Sequence, residues 1–123
     1  SINVPSDGQA REVDFCGVKS GANVDKVARC GFNVFRGVLG HAPLVEQCPV
    51  NLECRVHQII ELNSHCLVIG EVVETHVSDG CLDAKGTIDF AAVKPVVFLD
   101  NPTGMYHGLG DAVAKAFKVG LEL

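Results

Sequence analysis

Two alternating runs separated by two residues constrain this chain more than anything else in it. In residues 51–62 one parity carries Leu52, Cys54, Val56, Gln58, Ile60 and Leu62, and the other carries Glu53, Arg55, His57, Ile59 and Glu61. Period-two alternation of this kind specifies a half-buried strand, with the polar set turned to solvent. After Asn63-Ser64 a second run, 65–77, places Leu67, Ile69, Val73 and Val77 on one parity and Val68 and Val72 on the other. Matched lengths across a two-residue connection predict a tight antiparallel hairpin. Strands of more than ten residues exceed the usual five or six, so a curved barrel is expected rather than a small flat sheet. Gly70 falls inside the second strand and marks a bend or a close approach.

The flanks of the hairpin read as short elements. Residues 10–18 suit a short helix leading to a turn at Ser20-Gly21, and Asn23 is a candidate N-cap for a helix over 24–30 that Gly31 stops. A strand is expected over 32–39, a turn at 78–80, one or two helical turns in 88–94 and a strand at 95–99. Asn101-Pro102-Thr103-Gly104 has the chemistry of a loop. In the tail, Val113, Ala116, Phe117 and Val119 are the candidate apolar anchors. The fold class expected is mainly β with short helices, in one domain, because 123 residues suffice to bury roughly two-thirds of the unfolded surface.

Composition narrows the function classes. Ten basic against fifteen acidic side chains, without a Lys/Arg run, argue against a nucleic-acid surface. Apolar stretches such as Cys66-Leu67-Val68-Ile69 fall far short of the roughly 20 residues of a spanning helix, so no membrane partner is expected. The six cysteines, at 16, 30, 48, 54, 66 and 81, include no pair at zinc-gripping separation, and no metal site is expected. Free thiols in a reducing cytoplasm are the expectation, with Cys54 and Cys66 acting as small core hydrophobes. Glu53, Glu61 and Glu74 read as solvated strand faces.

Longer words in the chain are more specific. They run Asn3-Val4-Pro5-Ser6, then Cys16-Gly17-Val18-Lys19-Ser20-Gly21, then Val24-Asp25-Lys26-Val27-Ala28-Arg29-Cys30-Gly31-Phe32. Further on stand Ala42-Pro43-Leu44-Val45-Glu46-Gln47-Cys48-Pro49-Val50-Asn51-Leu52-Glu53-Cys54, Ser64-His65-Cys66-Leu67-Val68-Ile69-Gly70-Glu71-Val72 and Tyr106-His107-Gly108-Leu109-Gly110. In this order and spacing they resemble the flavin reductase-like, FMN-binding split-barrel family, most nearly its flavoredoxin branch. The resemblance implies a split β-barrel. It also implies that residues 1–123 are the C-terminal portion of that domain, because family members carry further N-terminal strands ahead of the Asn-Val-Pro-Ser-like word; the barrel is therefore expected to be incomplete at its N-terminus.

The same resemblance implies FMN as cofactor. Lys26 matches the family's flavin-contacting lysine, Ser20 and Gly21 belong to the same wall, Tyr106 matches an aromatic that closes over the flavin, and His65 is the catalytic candidate. Each of these residues also has a plain structural reading: a solvated cation, a helix-terminating turn, an anchor for the tail, an exposed histidine beside a turn. The function implied is movement of electrons through bound flavin, between a reduced nicotinamide or a redox-protein donor and an acceptor, in a homodimer. No Gly-x-Gly-x-x-Gly word is present, so NAD(P)H would bind transiently against the flavin. Whether this is an NAD(P)H:flavin oxidoreductase or an electron carrier stays open, and the alternative is a non-catalytic barrel remnant that serves as a structural or dimerisation module without flavin.

Overall fold

The computed structural model describes residues 1–121. The chain runs through β1 (Ile2–Val4), a 3-10 turn (Asp7–Gln9), α1 (Ala10–Val18), α2 (Lys26–Cys30), β2 (Val34–Arg36) and β3 (Pro43–Val45). The long strands β4 (Val50–Glu61) and β5 (Cys66–Val77) follow, then a 3-10 turn (Asp79–Cys81), α3 (Phe90–Val93), β6 (Val96–Leu99) and β7 (Met105–Gly108). They form a three-stranded sheet in the order β1-β4-β5 and two separate antiparallel pairs, β2-β3 and β6-β7.

The central hairpin is the one the alternation specifies. Val50 stands opposite Val77 at its base and Glu61 opposite Cys66 at its tip, where the Leu62 N–H donates to the His65 carbonyl at 2.8 Å. Register shifts between Glu53 and Cys54 and between Val56 and Gln58 interrupt the strict parity and add local twist. Between them Gly70 pairs with Val56, and a Cβ there would lie 3.1 Å from the Cys54 Cβ, which is the close approach expected of it.

Burial departs from the expected half-buried hairpin. Val50, Asn51 and Glu53 are buried, yet β4 from Arg55 outward and β5 from Cys66 to Thr75 are exposed. Val56, Ile59, Ile60, Leu67, Val68 and Val72 are therefore open to solvent. Among the described residues, only the base of the hairpin is buried. Val50 there joins Cys81 and Val93 in the core, with Val4, Leu52, Val77 and Ile88 packed against it, while Leu44 of β3 is 0% exposed. Two cysteine expectations change for the same reason. The buried thiols are Cys48 and Cys81, whereas Cys54 is half-buried and Cys66, at the hairpin tip, is exposed.

Side-chain amides knit the base together. Asn51 accepts from the Val45 N–H at 3.2 Å and donates to the Cys48 carbonyl at 3.0 Å, and Asn3 accepts from the same Val45 N–H at 3.0 Å. At the other end of the chain, Asp7 N–H donates to the Lys94 carbonyl at 2.7 Å, which fastens the β6-β7 pair to the N-terminal segment.

The second helix begins later than expected. The Ser20 carbonyl accepts from the N–H groups of both Asn23 and Val24, so those residues close a turn, and Asp25 becomes the cap, its carboxylate accepting from Ala28 N–H at 3.0 Å. Gly31 ends α2 as foreseen, with φ of 65°. The strand expected over 32–39 shortens to β2, since residues 37–40 close a turn through Gly40 N–H and the Gly37 carbonyl. The tail is also corrected: Val113 is 99% exposed, Phe117 98%, and Ala116 and Val119 are exposed too, so none of the four anchors the chain. Among the described residues no helix is long and apolar enough to cross a membrane.

Candidate functional site

The C-terminal half of α1 is where three of the singled-out residues converge. A helix leaves its last four carbonyls without intrahelical partners. The Lys26 ammonium reaches back from α2 to one of them, donating to the Cys16 carbonyl at 2.6 Å. Between the helices the Ser20 hydroxyl accepts from the Ala22 N–H at 3.2 Å, and Gly21 lies beside the Lys26 stem, its absent Cβ falling 4.0 Å from Cε. Gly21 and Lys26 line one shallow depression with the turn between them. Ser20, Gly21 and Lys26 are thus a single local unit.

Tyr106 joins from the other direction. On β7 its ring packs against that of Phe98 of β6, the centroids 5.1 Å apart and the planes tilted by 43°, and its hydroxyl donates to the Asp14 carboxylate of α1 at 3.3 Å. Burial, then the negative charge of Asp14, push the phenol above its ordinary pKa. One helix therefore carries both Tyr106, through Asp14, and Lys26, through the Cys16 carbonyl. His65 is not part of this grouping. It sits exposed at the hairpin tip, and its one side-chain hydrogen bond among the described residues pairs Nδ1 with the Ser64 hydroxyl at 2.8 Å.

A second polar centre overturns a sequence expectation. Glu53, expected on a solvated face, is 0% exposed. Its carboxylate accepts from the Val38 N–H at 3.0 Å, the Leu39 N–H at 2.8 Å and His76 Nε2 at 2.6 Å. The His76 hydrogen bond, followed by the Leu39 N–H, outweighs burial and holds the carboxyl below its ordinary pKa. Phe35 meets the His76 ring edge-on at 5.5 Å, and both line a groove with Cys48 and Asn51. No local sequence signal marks this burial: β4 gains β1 as a second neighbour at its base, a pairing that period-two alternation within β4 does not report. Among the described residues no group of three or more His, Cys, Asp or Glu side chains could hold a metal ion.

With this geometry in view, the chain can be set beside known proteins. The family model described as Flavin reductase like domain matches residues 1–103. The flavoredoxin of Desulfovibrio vulgaris (Miyazaki F) superposes with a TM-score of 0.87 at 34% identity, covering 97% of this chain and 63% of its own. The flavoredoxin from Methanosarcina acetivorans gives 0.88 at 32%, covering 98% of this chain and 62% of its own. An FMN-binding protein from Thermus thermophilus gives 0.70 at 25%, covering 92% and 60%. The chain thus spans somewhat under two-thirds of the length of each. Its fold is the split barrel, mainly β with short helices, and within the described residues the three sheets do not close.

Proposed function

Because the chain belongs to the flavin reductase-like family, we propose that it binds FMN and passes electrons between a donor, a reduced nicotinamide or a redox protein, and an acceptor. The observation that carries this reading is the flavoredoxin match over 97% of the chain. The residues fit the group. A flavin phosphate needs a cation and unpaired N–H donors, and the Lys26 ammonium spends one of its three N–H groups on the Cys16 carbonyl, leaving two beside the Ser20-Gly21 turn. Tyr106, held by Asp14, supplies an aromatic face. When bound, FMN supplies the hydride and single-electron chemistry.

In this proposal Lys26, Ser20 and Gly21 hold the phosphate end and Tyr106 covers the ring. His65, exposed at the hairpin tip with Nδ1 paired to the Ser64 hydroxyl, stays the catalytic candidate of this reading. A cytoplasmic homodimer is part of the same reading, and the apolar residues exposed on β4 and β5 support its dimeric part alone, as a face that a second copy could cover. The same exposed strands favour the second reading, a dimerisation module without flavin. Titration of the purified protein with FMN, followed by visible absorption, separates the two. Saturable perturbation of the flavin bands is expected; an unperturbed spectrum with FMN in excess would sink the flavin reading and leave the module.

A further inference from the structure

Cys16, in the last turn of α1, and Cys30, the final residue of α2, bring their sulfurs to 4.0 Å across the segment that carries Ser20, Gly21 and Lys26. Fourteen positions separate them in sequence, so only the return of α2 against α1 makes them neighbours. Both are free thiols and both are half-buried. Each is also reachable: Cys30 lines a groove with Arg11, Phe15 and Arg29, and Cys16 lines a cavity beneath α1 with Val13 and Phe32. A disulfide needs sulfurs about 2.05 Å apart, so closure asks each side chain to move by about 1 Å. The Lys26 hydrogen bond to the Cys16 carbonyl already fastens the two helices, so the closing atoms belong to a segment held in place.

We propose that Cys16 and Cys30 are a redox-active dithiol that closes reversibly into a disulfide, clasping α1 to α2 under the 17–29 segment. The oxidant is a low-molecular-weight disulfide. The thiolate of one cysteine attacks one of its sulfurs, forming a mixed disulfide and expelling one small thiolate. The thiolate of the other cysteine then attacks the protein sulfur of that mixed disulfide, forming the Cys16–Cys30 bond and expelling the second small thiolate. The protein gives up two electrons and the protons of two thiols; the small disulfide takes the electrons and leaves as two thiols. Burial and the Cys16 contact push the Cys30 thiol above its ordinary pKa, so closure accelerates toward alkaline pH. Neither thiol needs a bound flavin for this exchange, so a failure of one reading leaves the other standing.

The test uses the full chain carrying Cys66→Ser, which removes the exposed thiol at the hairpin tip. Incubation in glutathione buffers of rising disulfide fraction, acid quenching, alkylation and intact-mass measurement should show a species that carries two fewer alkyl groups than the reduced protein and is lighter by about 2 Da more, the two hydrogens lost on closure. Tryptic digestion of that species should yield residues 12–19 joined to 30–36, and dithiothreitol should separate them. Added Cys16→Ser should stop at a stable glutathione adduct on Cys30, because the resolving thiol is gone. Glutathione adducts on both cysteines without the linked peptide, or the same mass loss carried by another cysteine pair, would overturn the proposal.

Discussion

Replacing Lys26 with Met separates its two assigned tasks, because Met keeps a similar unbranched stem and discards the ammonium. The first loss is structural. The 2.6 Å hydrogen bond to the Cys16 carbonyl disappears from a half-buried position that water can reach. A hydrogen bond to a charged group contributes about 1.5–3 kcal/mol, and partial exposure brings this one below that range, to about 1–1.5 kcal/mol. A chain of this length loses about 3–4 °C of Tm per kcal/mol, so a fall of about 3–6 °C is expected in a thermal melt. The second loss concerns the cofactor. If the ammonium donates to the flavin phosphate, FMN should bind about 10- to 100-fold more weakly, the factor that one charge-assisted hydrogen bond represents. Riboflavin has the ring without the phosphate, so its affinity should be unchanged by Lys26→Met. Fluorescence-quenching titrations with both ligands, below the melting range of the variant, read the two effects apart, and Lys26→Arg should restore most of the FMN affinity. Equal weakening of FMN and riboflavin would refute a phosphate contact and assign Lys26 to the helix terminus alone.

Three further outcomes follow from the buried base of the hairpin. Because the folded protein holds the Glu53 carboxyl below its ordinary pKa, its contribution to stability is complete above the ordinary carboxylate range and fades as pH falls through the lowered value; urea melts across pH 3 to 7, a window of about that width, should show a steeper acid-side loss in the parent chain than in Glu53→Gln. Gly37→Ala would drive a Cβ into the Glu53 carboxylate and to 2.8 Å from His76 Nε2, so it should destabilise the fold, and a melt matching the parent would show that the loop can shift away. Leu44→Ala empties a fully buried site and should cost about 2–5 kcal/mol in a denaturant titration, whereas the same change at exposed Leu67 should cost far less.

Much of the local structure was legible in the chain. The β4-β5 hairpin, the stop at Gly31, the short α1 and α3 and the strand β6 all lie where periodicity and turn chemistry put them. Errors gathered where a local signal had to be converted into a statement about neighbours. Asn23 is a sound cap by type, yet the turn closed on the Ser20 carbonyl moves the start of α2 to follow Asp25. Val113 and Phe117 are apolar, yet among the described residues both stand open to solvent. Lys26 was singled out through resemblance, while its hydrogen bond to the Cys16 carbonyl depends on how α2 returns against α1.

The sequence by itself determined which residues share a strand face, where the backbone turns and to which family the words belong, because alternation, caps and glycines act over a few residues. Only the tertiary structure decided what covers each face. Period two assigns Glu53 and Ile59 to the same side of β4, yet one is wholly buried and the other exposed. The difference is that the loop at 38–39 brings two N–H groups and β5 brings His76 to the first, while the second stays open to solvent among the described residues. Burial and partnership depend on contacts between segments far apart in the chain, so the meeting of Cys16 with Cys30, like that of Tyr106 with Asp14, exists only once the helices and strands have packed.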